Sequence, residues 1–196
     1  MIQYPDSDVG IMLRWESDLL LRCIEEMVLA APTGPIRLLE IGIMNGKTGA
    51  LMIRQSLSGG GPCEYTAVDP APQPDAEERL RTTAATVGLL LLTSRKALPL
   101  VRGPFDCILS DGCHCLQCAW FEWETYRHLV RPGGIYAMHD IAASVLTVGA
   151  DDPHRAGEGG PEIVWKCAKS CPGWTVVGES LSGPAGLGVL RRSVAE

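Results

Sequence analysis

Ile36-Arg37-Leu38-Leu39-Glu40-Ile41-Gly42-Ile43-Met44-Asn45-Gly46-Lys47-Thr48-Gly49 is the stretch on which the reading of this chain turns. Its first six residues form a short, mostly apolar run, the mark of a buried strand. The run ends in glycine, and residues 46–57 follow as a helix. Glycines at 42 and 46 let the backbone turn tightly and come close to a ligand, because no Cβ blocks the approach. The G-x-x-x-G spacing is neither the G-x-G-x-x-G of nicotinamide and flavin sites nor the G-x-x-x-x-G-K-[ST] of phosphate-binding loops. Gly46-Lys47-Thr48 is present, but Ile41 stands where that second pattern needs its first glycine. For this segment alone, a plain strand-to-helix turn is the simpler alternative.

Outward from this unit the alternation continues. Glu64 to Val68, Leu89 to Thr93, Phe105 to Ser110 and Ile135 to Met138 read as strands. Residues 75–86 read as a helix, a short helix follows the third strand, and 116–130 form a helix. The inner face of that last helix is expected to be Leu116, Ala119, Trp120, Trp123, Tyr126 and Val130. Arg131-Pro132-Gly133-Gly134 is expected to be a turn. Strands alternating with helices need crossover connections, so the sheet should be parallel and covered on both faces.

Upstream, Leu20, Cys23, Ile24, Met27, Val28 and Ala31 recur at three- and four-residue steps and predict an amphipathic helix over 11–31. Glu16, Asp18, Arg22, Glu25 and Glu26 fall mostly opposite, and Pro32-Thr33-Gly34-Pro35 stops the helix. Downstream, the Gly- and Asp-rich stretch 142–161 carries no period. Its length and its place after Asp140 suggest a lid or acceptor loop, with a plain insertion as the alternative. A helix near 162–169 follows. Trp174 to Gly178 and Gly186 to Leu190, joined around Ser182-Gly183-Pro184, form a hairpin, so one of them should run antiparallel to the rest. The expected organisation is one domain over 1–196, with a helical extension over 1–35 and a core over 36–196.

A chain of 196 residues suits one domain with a real core. Hydrophobic residues at 46% and charged residues at 20% argue against disorder. Lys and Arg number 17 against 23 Asp and Glu, and a net charge of −6 makes a poor general ligand for nucleic acid. The first residues lack the basic and apolar regions of a signal peptide, and no apolar run is long enough to span a bilayer. A cytoplasmic protein is expected, its eight cysteines reduced rather than disulfide-bonded.

In an open α/β sheet, ligands bind beyond the carboxyl ends of the strands. Asp69 closes the second strand, where a carboxylate can accept hydrogen bonds from the vicinal hydroxyls of a ribose. Ser110-Asp111-Gly112-Cys113-His114 closes the fourth and Met138-His139-Asp140 the fifth. If those strands are neighbours, two carboxylates and two imidazoles meet above the sheet. That set suits a general base, a hard-metal site, or both.

Taken in order, Glu40-x-Gly42-x-x-x-Gly46, Asp69, Phe105-Asp106, Asp111-Gly112-x-His114, Leu129-x-Arg131-Pro132-Gly133-Gly134 and His139-Asp140 resemble the class I S-adenosylmethionine-dependent methyltransferases. The closer resemblance is to the small bacterial branch with a D-G-x-H box, methyltransferase family 24, similar to cephalosporin-hydroxylase-type and sugar O-methyltransferases. It runs from about Ile36 to Leu190. It implies a Rossmann-like, doubly wound seven-stranded sheet in the order 3-2-1-4-5-7-6, with the last strand antiparallel and helices on both faces.

The resemblance also implies roles. The loop Gly42 to Gly46, with Asn45, would hold the methionine part of S-adenosylmethionine, and Glu40, Lys47 and Thr48 would also serve the cofactor site. Asp69 would bind the ribose, and Thr93-Ser94-Arg95 would flank the adenine. Asp111, which also reaches the cofactor, would face the acceptor with His114, His139 and Asp140. Three departures stand out. Cys113 replaces the usual Asp of the box, Ser94 stands where an acid is frequent, and His139-Asp140 replaces the adjacent carboxylates of metal-using cousins. Asp111 and Asp140 could still supply two oxygen ligands to Mg²⁺.

The chemistry needs an acceptor oxygen or nitrogen in line with the sulfonium methyl, and a base if the acceptor is a hydroxyl. His114, or His139 oriented by a carboxylate, suits that base. The expected function is methylation of a small polar acceptor, a sugar or secondary metabolite, with no nucleic-acid or membrane partner and a homo-oligomer left open. Two alternatives stand beside it: a non-catalytic S-adenosylmethionine-binding protein with a Cys-rich zinc or interaction element, and a nicotinamide-dependent oxidoreductase, which the glycine spacing opposes. Cys113-His114-Cys115-Leu116-Gln117-Cys118 and the pair Cys167 and Cys171 could together hold a structural zinc, with single buried or half-exposed thiols the plainer reading. Cys23 and Cys107 read as core. Trp120 and Trp123 also read as core, His128 as surface and His154 as loop.

Overall fold

The computed structural model describes residues 12–30, 34–142, 159–181 and 185–194. The elements are α1 (Arg14–Ala30), β1 (Ile36–Ile41), α2 (Lys47–Leu57), β2 (Cys63–Val68), α3 (Ala76–Arg81), β3 (Thr86–Leu90), α4 (Ser94–Ala97), β4 (Phe105–Ser110), α5 (Leu116–Tyr126), β5 (Val130–His139), α6 (Gly160–Ala168), β6 (Trp174–Ser180) and β7 (Leu187–Arg192). The strands form one seven-stranded sheet in the order β3-β2-β1-β4-β5-β7-β6. β7 runs antiparallel to β5 and β6, and the other pairings are parallel. The parallel strands and the antiparallel hairpin are those the alternating pattern implies, and the order is the one the family resemblance implies.

Strand residues alternate between two apolar layers, as a pleat with period two demands. Leu38, Cys107, Leu109, Ile135, Ala137 and Val189 face the layer holding Leu20, Ile24 and Met27 of α1 and Met52 and Ile53 of α2. Leu39, Ile41, Ile108, Tyr136, Met138 and Leu190 face the layer holding Trp123 and Tyr126 of α5 and Val164 and Trp165 of α6. β1 and β4 are adjacent although helices leave them toward opposite faces, so the crevice of the sheet opens above their carboxyl ends.

Several expected details shift. β3 lies at Thr86–Leu90 rather than 89–93, because its register is set by pairing Glu64 with Thr86 and Val68 with Leu90, and Leu91 is left exposed. α3 accordingly ends at Arg81. Arg131 to Gly134 lies inside β5, where the pairing with β4 slips between Phe105 and Cys107. On α5, Leu116 and Trp120 are exposed, whereas Glu122 is buried beside Trp123 and Tyr126. On α1, Glu16 is fully buried instead of facing solvent. His154, the Ser182-Gly183-Pro184 turn, Ala31 and nearly all of the expected lid over 142–161 lie outside the described residues.

Candidate active site

The turn after β1 is held by backbone on both sides. Gly42 N–H donates to the Val68 carbonyl (2.8 Å), and Asp111 N–H donates to the Ile41 carbonyl (2.8 Å). Gly42 has φ +82°, and a Cβ there would stand 2.0 Å from the Asp111 carbonyl oxygen. The glycine is therefore needed for the close approach of the β1 and β4 tips. The chain then passes through left-handed conformations at Met44 (φ 43°) and Gly46 (φ 71°).

The Asp69 carboxylate clamps this loop. Its Oδ2 accepts the N–H groups of Ile43 (2.9 Å) and Met44 (3.0 Å), and its Oδ1 accepts that of Ala71 (2.8 Å). Asn45 Oδ1 accepts the Lys47 N–H (3.0 Å), satisfying one of the donors that the first turn of α2 leaves open, with Thr48 next in that turn. Glu40 points the other way. It is buried below the loop, takes the Tyr65 hydroxyl, and sits under Gly49, where a Cβ would lie 2.7 Å from its Oε2. Burial pushes its pKa to about 8, against the hydrogen bond from Tyr65.

Beyond β3, Thr93 caps α4 through its side chain. The Tyr126 hydroxyl donates to the Ser94 carbonyl (2.6 Å), and the Ser110 hydroxyl donates to Glu122 Oε2 (2.6 Å). The Ser94 side chain also hydrogen-bonds the Glu122 carboxyl, whose pKa burial pushes to about 7. Gly112 packs over this carboxyl, and a Cβ there would be 3.3 Å from Oε1. Sequence reasoning missed Glu122. Its signal was a lone acid on the same helical face as Ala119, Trp123 and Tyr126.

The tips of β4 and β5 bring the four expected acceptor-side residues together. His114 Nε2 lies 2.7 Å from Asp140 Oδ2, and His139 Nδ1 lies 2.9 Å from Asp111 Oδ1 and 3.3 Å from Asp140 Oδ2. Asp140 adopts φ 59°, an uncommon conformation for a residue with a side chain, which ends β5 abruptly. His114 is 38% exposed at its side chain and His139 only 3%.

A third carboxylate completes the group. Glu16 Oε2 lies 3.4 Å from His139 Nε2 and accepts the Leu13 N–H (2.8 Å), while its Oε1 accepts the Gly186 N–H (2.8 Å). Glu16 was also missed, although its spacing with Leu20, Cys23, Ile24 and Met27 places it on the buried stripe of α1.

These contacts set the charges. Burial works against the His139 imidazolium, but Asp111, Asp140 and Glu16 outweigh it and push its pKa to about 12. The hydrogen bond to Asp140 raises the His114 pKa above its ordinary value. Burial alone would raise Asp140, yet the two imidazoles hold it well below the usual carboxylate range. Burial pushes Asp111 up, against the pull of His139. Asp111, His139 and Asp140 each place one donor atom within 4.8 Å of the others, a grouping able to hold a metal ion.

The cysteines do not form the two-pair zinc site. Cys113, Cys115 and Cys118 come together within the same 4.8 Å limit, without Cys167 or Cys171. Cys167 is exposed, and Cys171 Sγ accepts from Arg127 Nη1 (2.8 Å). Cys23 and Cys107 are buried, as expected of core residues.

Comparison with known proteins places this geometry in a family. The fold is similar to that of the O-methyltransferase TomG of Streptomyces achromogenes, which is involved in tomaymycin synthesis and was solved with S-adenosylmethionine (TM-score 0.69, 16% identity, 93% of this chain and 82% of that one). It is similar to an O-methyltransferase of Bacillus cereus solved with S-adenosylhomocysteine (TM-score 0.69, 17% identity, 96% and 84%). It is also similar to an rRNA methylase of Streptococcus thermophilus (TM-score 0.62, 13% identity, 95% and 100%). At such identities the likeness is one of fold. No curated protein matches the chain significantly. Residues 39–141, more than half of the chain, match the model of methyltransferase family 24, a methyltransferase domain. The chain belongs to that family and is a class I methyltransferase.

Proposed function

We propose that the chain transfers the methyl group of S-adenosylmethionine to a hydroxyl oxygen of a small polar acceptor, a sugar or secondary metabolite. The carrying observation is the half-exposed His114 held by Asp140 at the tips of β4 and β5, beside the glycine loop. The donor set suits the cofactor. Gly42 to Gly46, with Asn45, Lys47 and Thr48, would hold the methionine part. A carboxylate offers about four lone-pair sites, so Asp69 can clamp the loop and still accept from a ribose. The buried, readily protonated Glu122 carboxyl and the Ser94 hydroxyl bonded to it can together present a donor to an adenine edge, with Asp111-Gly112 alongside. Glu40 would act from beneath, by fixing the loop. When bound, S-adenosylmethionine supplies an activated sulfonium methyl.

His114 is the base. Its Nε2–H faces Asp140, which leaves Nδ1 to take the acceptor proton as the C–O bond forms and the C–S bond breaks. S-adenosylhomocysteine is the leaving product. His139, buried and held as an imidazolium, orients Asp111 and Asp140. The residues do not fit Mg²⁺, which prefers six oxygen ligands, because Nδ1 of His139 stands between the two carboxylates. The net charge of −6 favours a small acceptor over a polyanion. Residues 1–196 are read as one methyltransferase domain to which α1 contributes Glu16.

The test is transfer of labelled methyl from S-adenosylmethionine into a metabolite pool. His114→Ala should lower the turnover by about 10²–10⁴-fold, with S-adenosylhomocysteine binding by calorimetry unchanged and EDTA without effect. Full turnover in that variant would remove His114 from its role. Absence of S-adenosylhomocysteine binding by the unaltered protein would sink the whole reading.

A further inference from the structure

We propose that Cys113, Cys115 and Cys118 form a site for a soft divalent ion, Zn²⁺, at the start of α5. The three Sγ atoms lie within 4.8 Å of one another. The thiols also hydrogen-bond among themselves. With Zn–S bonds of about 2.3 Å, tetrahedral coordination puts the sulfurs about 3.8 Å apart. That spacing falls inside the limit within which the three sulfurs lie.

The backbone prepares the arrangement. Cys115 is the N-cap of α5, extended at φ −69° and ψ 143°, and its sulfur accepts the Cys118 N–H at 3.4 Å. The first turn of the helix thereby brings Cys118 back over Cys115. The positive end of the helix favours a thiolate at the Cys115 cap. From behind, α6 locks the segment: Gly160 N–H donates to the His114 carbonyl (3.2 Å), and a Cβ on Gly160 would lie 2.5 Å from the Leu116 nitrogen.

Access and chemistry agree. Cys113 and Cys118 are half-buried and Cys115 is buried, so an ion can enter from one side and find a fixed ligand at the bottom. Binding would exchange up to three thiol protons for the ion, leaving one coordination position for water. Three thiols cannot all be satisfied by one disulfide, whereas one soft ion engages all three. The site is separate from the Asp111, His139 and Asp140 group, and this inference does not depend on the methyl-transfer reading.

The test uses the full chain, purified under reductant and equilibrated with zinc chloride in a chelator-buffered solution. Elemental analysis should find about one zinc per chain, retained in Cys167→Ser and lost in Cys113→Ser and Cys118→Ser. A second measurement needs no variant. Alkylation read by mass spectrometry should modify Cys113 and Cys118 in chelator-treated protein and spare them once zinc is added, while exposed Cys167 reacts in both. Zinc-free protein after equilibration, zinc retained in both cluster variants, alkylation of Cys113 and Cys118 indifferent to zinc, or a disulfide within the trio in the reduced protein would each overturn the proposal.

Discussion

His114 and His139 are both held by carboxylates, and burial sends them to different work. His139 sits among Asp111, Asp140 and Glu16 with its pKa pushed to about 12, so it keeps its proton across the working range. His114 keeps one side open, and the Asp140 hydrogen bond raises its pKa above 6.5. As the proposed base, His114 must be neutral to act, so the rate should rise with pH through that raised value. Asp140→Asn removes the charge that raises it. The midpoint of kcat/KM against pH should therefore move down toward about 6.5, measured with the labelled donor. An unmoved midpoint would assign the titration to another group. The strand-closing residues were legible because a short apolar run fixes where a strand ends, and the next residue must stand at its tip. Glu16 and Glu122 were not legible in the same way, because a charge on a helix is ordinarily assigned to solvent. Only their partners, His139 for one and Ser110 with Ser94 for the other, explain why these carboxyls are inside.

Among the elements, α1 does more than cover the sheet. Glu16 joins three separate pieces of chain: the Leu13 N–H at its own start, the Gly186 N–H ahead of β7, and His139 at the end of β5. Removing Glu16 leaves His139 with Asp111 and Asp140 but strips the Leu13 and Gly186 N–H groups of their acceptor, at a cost of about 1–3 kcal/mol for each buried donor. Glu16→Ala should lose about that much in urea denaturation, whereas Asp18→Ala on the exposed side should lose little. The pH dependence follows from the two shifts. Burial opposes the Glu16 charge, but His139 and the two backbone donors win, and its pKa is lowered from 4.5. Its contribution is present above about 4.5 and fades as pH falls through the lowered value. The raised pKa of His139 contributes in full below about 6.5 and fades toward 12. The pair should thus be worth most between those ordinary values. Element legibility followed the same physics. β4 coincides with its apolar run because it is buried on both faces. β3 does not, because it is an edge strand whose limits come from pairing with β2.

For the whole molecule, a parallel sheet with one antiparallel strand was readable from alternation and the terminal hairpin, and the strand order came only with the family resemblance. The acceptor was not readable, since loops rather than strands shape it. The neighbours act on unlike acceptors, and the fold they share does not choose among them. The donor is a different matter, because its proposed contacts come from four strand tips at once. A ligand that binds only the folded chain stabilises it by about 2.7 kcal/mol at one hundred times its Kd. For a domain of this size that is a rise of about 5–10 °C in Tm. S-adenosylhomocysteine should produce it and NAD should not; equal shifts, or none, would count against the assignment of the loop.

The reach of Glu16 across to His139 and Gly186 has a practical corollary. The stretch matched by the family model, residues 39–141, contains neither Glu16 nor Gly186. A gene fragment trimmed to that stretch would leave the innermost imidazole without its rear anchor. A chimera carrying a foreign amino-terminal helix would need to import a carboxylate at the same height, so engineers should treat α1 as inseparable from the cluster around His139.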